Sequence, residues 1–245
     1  MVGNVKLRIS SDRGFANHGW LKTYHSFSFT GYYDPSHMHF SVLRALNDDV
    51  IEAGQGFGMH PHKNMEIITY LLRGELQHED SLGSRTVLKA GDVQCTTAGS
   101  GVVHSEYNAS ETDPVHFLQI WIFPERKLFE PSYSVASFST ADKQDHWCLI
   151  VSRDGRDNSL IIQQDASIFA TLMSPGGTLN YDVSEHRSVY IQMASGELEV
   201  LGTILKTGDA LMLDGPVLLE FKSILTSEIL LFDLPIHHSV DFMQQ

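Results

Sequence analysis

Cysteine is scarce in this chain. Cys95 and Cys148 are the only two among 245 residues, and no Cys-x-x-Cys pair occurs. That excludes a disulfide framework and a zinc ribbon. Basic residues are also few, with 17 Lys and Arg against 30 Asp and Glu, for a formal net charge of −13. Such a balance disfavours direct nucleic-acid binding, which relies on basic patches and counterion release. No apolar run approaches the ~18 residues of a membrane span. The opening Met1–Arg8 lacks the apolar core and small-residue cleavage site of a secretory signal. The expectation is a reduced, cytoplasmic protein whose partners are small molecules or proteins. Charged residues are 19% of the chain, below the roughly 25% average, so a disordered polyelectrolyte is excluded.

Helix signals are scarce too, confined to Ala141–Gln144 and Pro124–Phe129. Strand-like runs are frequent, among them Ser41–Leu46, Glu66–Leu72, His116–Ile122, Ser188–Met193 and Glu228–Phe232. Gly and Asp turn signals separate them, which predicts an all-β sandwich or barrel. An internal repeat sharpens this reading. Gly74-Glu75-Leu76, followed by Ala90-Gly91-Asp92, reappears as Gly196-Glu197-Leu198, followed by Thr207-Gly208-Asp209. Two related β-barrels are expected, over residues 1–130 and 131–245, joined near Pro124 to Pro131.

What the chain does have in number is histidine, 13 in all, and spacing tells which ones matter. In a strand, residues two apart share a face, about 6.5–7 Å apart along the chain. His60-Pro-His62 and His104-Ser-Glu106 therefore each present two ligand-type side chains on one face. Adjacent strands carrying these pairs would gather three imidazoles and a carboxylate around one point. That set suits a borderline divalent transition metal, and a 2-His-1-carboxylate set with open positions belongs to non-haem Fe(II) oxygenases. Glu66 competes with Glu106 for the carboxylate role if the strand from His60 runs unbroken; otherwise it would support a ligand histidine through a hydrogen bond. His37-Met-His39 has the same spacing but no His-x-Glu partner, and is read as polar residues at a strand entry.

The pattern from Gly54 through His60-x-His62 and Glu66 to Gly74 resembles the first cupin motif. Gly91 through His104 to Asn108 resembles the second, with two extra residues before the histidine and no proline in its usual place. Within the cupins, the runs His60-Pro-His-Lys-Asn-Met-Glu66, Ala98-Gly-Ser-Gly101 and His104-Ser-Glu-Tyr-Asn108 are similar to the pirin family's signature. Asn17–Leu21, Tyr32–Pro35 and Asn47–Asp49 look like the bacterial pirin-like quercetin 2,3-dioxygenases. The resemblance spans nearly the whole chain and thins in the second half, where Leu231-Phe-Asp-Leu-Pro235 is the main landmark.

The resemblance implies a bicupin, two jelly-roll-like cupin barrels in tandem, with one metal held by His60, His62, His104 and Glu106. It favours Glu106 over Glu66 as the carboxylate. Fe2+ is the first expectation for the ion, with Ni, Cu, Co, Mn or Zn also accommodated by these ligands. Aligning the repeats puts Asp182 and Ser184 opposite His60 and His62, and Phe221 and Ser223 opposite His104 and Glu106, so the second barrel is expected to be degenerate. The activity implied is opening of a flavonol such as quercetin with O2 and release of carbon monoxide, with Glu106 as the base. Phe27, Phe29, Phe40, Phe57 and Met59 are candidates for a flat apolar slot. Family members that act as protein-binding transcription cofactors make a metal-dependent regulator the rival expectation, with a protein partner. A cupin metalloenzyme of another reaction class is the second rival. The tail Ile236–Ser239 is expected to fray.

Overall fold

The protein is described by a computed structural model covering residues 5–236. Four β-sheets make two barrels. The first barrel pairs a seven-stranded sheet with a four-stranded one. The large sheet runs, in spatial order, Ser132–Ser137, Asp92–Thr97, Glu66–Arg73, Val115–Ile122, Leu43–Ile51, Leu21–His25 and Gly14–Asn17; the small one runs Gly56–His62, Val102–Asn108, Glu75–Asp80 and Arg85–Lys89. The second barrel repeats the plan. Its small sheet runs Thr178–Val183, Val217–Ser223, Glu197–Val200 and Thr203–Lys206, in the same relative order as its counterpart. The all-β bicupin expectation holds, and no helix among the described residues is long and apolar enough to cross a membrane.

The two large sheets pack against each other, which explains why their strands read as unbroken apolar runs rather than alternating ones. In Glu66–Arg73, Ile68 and Tyr70 join a core shared with Ile168, Tyr190 and Phe232 of the second barrel. Ile67, Thr69 and Leu71 have the opposite parity, and Ile67 and Leu71 pack within the first barrel. The halves also exchange strands. Lys6–Arg8 pairs with Ala210–Asp214 in the second barrel, and Ser132–Ser137 pairs with Asp92–Thr97 in the first. The second exchange matters for chemistry, because it carries Tyr133 into the first barrel's interior.

The internal repeat is a repeat of turns. Gly74 and Gly196 sit at φ +86° and +90° after equivalent strands. In both copies the aspartate closes the following turn: Asp92 Oδ2 accepts from the Lys89 N–H at 2.7 Å, and Asp209 Oδ2 from the Lys206 N–H at 2.9 Å. A Cβ on Gly74 would lie 2.9 Å from the Pro114 carbonyl. Gly74→Ala is therefore expected to destabilise the protein by about 1–2 kcal/mol, the left-handed backbone penalty, measured as a lowered denaturation midpoint. An unchanged midpoint would show that the turn relaxes at no cost.

Of the two helical expectations, the first holds. Thr140–Lys143 is a single turn closed by a capping box between Ser139 and Asp142. Pro124–Phe129 forms no helix: Leu128 is left-handed at φ +61°, and its N–H donates to Asn64 Oδ1 at 2.8 Å. Residues 237–239 of the tail expected to fray lie outside the described residues.

Candidate functional site

Strand pairing builds the site. Gly56–His62 and Val102–Asn108 are antiparallel neighbours, and His104 stands directly opposite His60. His60, His62 and His104 meet with ring centroids 4.5–4.8 Å apart, and the Nε2 atoms of His60 and His104 are 3.1 Å apart. A bulge between His104 and Glu106 puts Glu106 opposite Phe57 rather than Gly58. The Glu106 carboxylate lies deeper, grouped with His104 and His78 so that their ligand atoms are within 4.8 Å of one another. The structure thus brings all four expected residues into one barrel interior, as two overlapping groups that share His104.

The chemistry of this donor set fits a divalent ion. Burial, reinforced by neighbouring imidazoles, pushes His62 down to about 4 and His104 down to about 3. Both rings are neutral at pH 7, so their lone pairs are not taken by protons. The Nδ1 of His60 meets the Gly58 carbonyl at 2.7 Å, which assigns it as the protonated nitrogen and leaves Nε2 facing its neighbours. His104 Nδ1 is buried with no partner among the described residues. Three imidazoles gathered this closely, two of them neutral, form a nitrogen donor set of the kind that holds a divalent transition metal.

Glu106 rests on a polar row that crosses the large sheet. Register places His25 beside Asn47, Asn47 beside Gln119, Gln119 beside Thr69 and Thr69 beside Gln94. Gln94 Nε2 and Gln119 Nε2 each donate to a different Glu106 oxygen at 2.7 Å, and Thr69 Oγ1 lies 3.2 Å from Oε1. Tyr133 stacks on His78 with centroids 4.3 Å apart and donates to Gln94 Oε1 at 3.1 Å. His78 Nε2 meets Asp80 Oδ2 at 2.9 Å. Burial raises the Asp80 carboxyl, but the bonds from His78 and from the Ser84 and Leu82 amides hold it below its ordinary value overall.

Spacing alone missed these supporting residues. His78-Glu-Asp80 repeats the His-x-acid spacing of His104-Ser-Glu106, which was a usable signal. Thr69, Gln94 and Gln119 each stand as one polar residue within a strand, a weaker one.

Glu66 is elsewhere. The strand from His60 ends at His62, Asn64 turns left-handed at φ +52°, and a new strand begins at Glu66. Glu66 then counts with Ile68 and Tyr70, toward the second barrel. Thr97 Oγ1 donates to its Oε2 at 2.7 Å and the Gln163 N–H at 3.2 Å, while Oε1 has no partner among the described residues. Burial, opposed by these two bonds, pushes its carboxyl up to about 7. The His37-Met-His39 pair is likewise accounted for locally, with Asp34 Oδ2 2.7 Å from His37 Nδ1 and the Ser41 carbonyl 2.9 Å from His39 Nδ1.

A cavity of about 230 Å³ opens over the histidines, walled by Phe29, Phe57 and Trp121 and reaching Glu106, Gln119, Asn47 and Asp49. Trp121 stands edge-on to both His62 (5.1 Å) and Phe29 (4.9 Å). Of the five apolar candidates, Phe29 and Phe57 line this cavity. Phe27 and Phe40 belong to the core between the barrels, and Met59 is 59% exposed.

Comparison with known proteins agrees with this geometry. Residues 7–122 match the Pirin family model, and residues 149–234 match that of the quercetinase C-terminal cupin domain. A protein of Escherichia coli K12 named quercetin 2,3-dioxygenase is 43% identical over 231 residues, 94% of this chain and 99% of its own. The chain belongs to the pirin family. A pirin-like protein of Caulobacter vibrioides is 38% identical, covering 90% of this chain and 95% of its own length. The crystal structure of the E. coli bacterial pirin YhhW in complex with nickel(II) superposes with a TM-score of 0.91 at 43% identity, covering 96% of this chain and all of that one.

The second barrel of this pirin is apolar where the first is polar. Its interior is packed by residues including Leu198, Val200, Leu219 and Phe221, with Trp147 and Phe169 against them. Register corrects the equivalences expected from turn alignment. Val200 lies opposite Phe221 as His78 lies opposite Glu106, each four residues past its glycine. Phe221 therefore stands at the place of Glu106, Leu219 at that of His104, and Tyr181 at that of His60. The Asp182 and Ser184 pair was set one residue too far along and the Phe221 and Ser223 pair two, because the segments between the glycine turns and these strands differ in length between the two barrels. None of these residues is an imidazole, and among the described residues the candidate metal groups lie in the first barrel.

Proposed function

We propose that this chain is a metal-dependent dioxygenase that opens flavonols such as quercetin with O2. The observation that carries this reading is the meeting of three imidazoles beside a buried carboxylate, with His60 and His62 lining an aromatic-walled cavity. The name of the E. coli relative supports it. His60, His62 and His104, with Glu106 as the carboxylate, would hold one divalent transition metal ion. Such an ion supplies Lewis acidity, lowering the pKa of a hydroxyl placed against it.

The chain's own residues supply the rest. Phe29, Phe57 and Trp121 orient a flat ring system and exclude water from it. Glu106 accepts the proton of the substrate hydroxyl, since its carboxylate is within reach of a group held at His104. Gln94 and Gln119 fix both of its oxygens before the substrate arrives, so little reorganisation accompanies the transfer. The Trp121 indole N–H, which has no partner among the described residues, is free to donate to a substrate oxygen. Elemental analysis beside quercetin consumption under air and under nitrogen tests the reading. About one transition metal ion per chain and consumption that requires O2 are expected. Metal-loaded protein that consumes no flavonol under air would overturn it.

A further inference from the structure

The cavity over the histidines has a neighbour. A second chamber of about 400 Å³ is lined by Trp20, Leu21, Thr23 and His25, and shares Phe29, Thr30, Asn47, Asp49 and Phe57 with the first. The two chambers adjoin across these shared residues. At about 230 Å³ the first chamber alone falls below the roughly 300–1,000 Å³ that a drug-sized ligand occupies. A three-ring substrate engaged at His60, His62 and His104 would overrun the first chamber, and the adjoining one offers the room.

That second chamber contains the unexplained polar atoms. Thr23 and Asp49 are directly paired on adjacent strands, as are His25 and Asn47 one step along. The His25–Asn47 pair satisfies itself at 2.8 Å. Thr23 Oγ1 and Asp49 Oδ1 do not: these side chains belong to residues 3% and 4% exposed, and neither atom has a hydrogen-bond partner among the described residues. The threonine hydroxyl is near enough to lower the Asp49 carboxyl somewhat, yet the pair lacks the geometry of a formed hydrogen bond. Burial outweighs it and, with Asp48 and Glu106 nearby, pushes Asp49 up to about 7. A buried polar atom left unpaired is destabilising, because it has given up water and gained nothing in return. Two on facing positions, in a chamber whose wall includes Trp20, Leu21 and Phe57, are arranged for a partner that arrives from outside. Paired positions on neighbouring strands hold their side chains about 4.5–5.5 Å apart, a spacing that can bracket adjacent hydroxyls on one ring.

We propose that Thr23 and Asp49 form a subsite for an aromatic ring bearing neighbouring hydroxyls, so that the chain selects flavonols by the hydroxylation of the pendant ring. The subsite rests on the flavonol reading above. Thr23 offers a donor and an acceptor, Asp49 offers either according to its proton, and Trp20 and Phe57, edge to face at 5.2 Å, wall the ring.

Anaerobic calorimetry with three flavonols carrying two, one or no hydroxyls on the pendant ring tests this, on wild type, Thr23→Val and Asp49→Leu. Wild type is expected to bind the dihydroxylated compound about tenfold more tightly than the bare one, a ratio that falls below about threefold in each variant. Asp49→Asn, which keeps a donor and an acceptor, is expected to retain most of the preference. Thr23→Val is isosteric and removes an unpaired hydroxyl, so its ligand-free denaturation midpoint should equal or exceed that of wild type. A wild-type protein that binds all three equally or not at all, or variants that keep the full ratio, would overturn the subsite. Turnover under air separates this from the dioxygenase reading. If none of the three is consumed but the binding ratio collapses in the variants, the subsite stands and the dioxygenase reading falls. If all three are consumed and the ratio survives in the variants, the reverse holds.

Discussion

His62→Ala is expected to bring bound divalent metal from about one ion per chain to a trace. Quercetin consumption should fall at least about a hundredfold, since losing merely an outer hydrogen-bond partner of a metal ligand already costs roughly 10–100-fold. The fold should survive. His62 is half-buried at the end of its strand, paired with Val102, and its ring touches Trp121 and the other two imidazoles rather than a closed hydrophobic core. Circular dichroism and the denaturation midpoint of the metal-free protein should therefore match wild type stripped of metal. His37→Ala is the matched control: the spacing to the next histidine is the same, but the ring is bonded to Asp34 on the other side of a loop, and metal content should stay at one ion. If His62→Ala retains both metal and turnover, His62 has no part in the site. If His37→Ala loses metal as well, the effect comes from general destabilisation and not from coordination.

The site's four leading residues were legible because strand geometry has a short, exact period. His60 and His62 share a face for the same reason that His104 and Glu106 do, and antiparallel pairing then needs only to bring the two strands together. What defeated linear reading was each departure from that period. Three residues, Lys63 to Met65, interrupt the strand before Glu66, so counting in twos from His60 put its carboxylate on the wrong face. Segments of unequal length between turns and strands displaced the equivalences in the second barrel. The polar row of Thr69, Gln94 and Gln119 was unreadable for another reason: its members meet across strands, at register positions fixed by the whole sheet. Thr23 and Asp49 belong to the same class. The strand exchanges that bring Lys6–Arg8 to the second barrel and Tyr133 to the first are long-range pairings to which turn signals are blind. The two-barrel plan itself was readable because its evidence, the repeated Gly-Glu-Leu and Gly-Asp turns, is local chemistry tied to left-handed backbone and to an aspartate closing its own turn.

Glu66→Gln should alter how stability depends on pH and leave the metal in place. In the folded protein burial between the barrels raises this carboxyl from 4.5 to about 7. Below pH 4.5 both folded and unfolded chains carry the proton, and the site contributes no pH dependence. Between 4.5 and 7 the unfolded chain releases its proton while the folded one keeps it, so the unfolded state binds fewer protons and stability falls as pH rises. Above 7 the loss is complete, at about 3 kcal/mol from the size of the shift. Glutamine cannot ionise, so the stability of Glu66→Gln minus that of wild type should rise by about this amount from pH 4 to pH 8. Taking that difference isolates Glu66 from buried groups the two proteins share, including Asp49, which also shifts upward, and His62 and His104, which shift downward. Urea titrations on metal-free protein at each pH measure it. A flat difference would mean that Glu66 titrates at its ordinary value, with water reaching the interface between the barrels. Metal analysis of the same variant closes the older ambiguity: a carboxylate ligand changed to an amide loses its charge at the ion, whereas a carboxyl that faces Thr97 and Gln163 can change without the ion being affected. Loss of metal in Glu66→Gln would return Glu66 to the coordination shell and remove Glu106 from its place as the carboxylate.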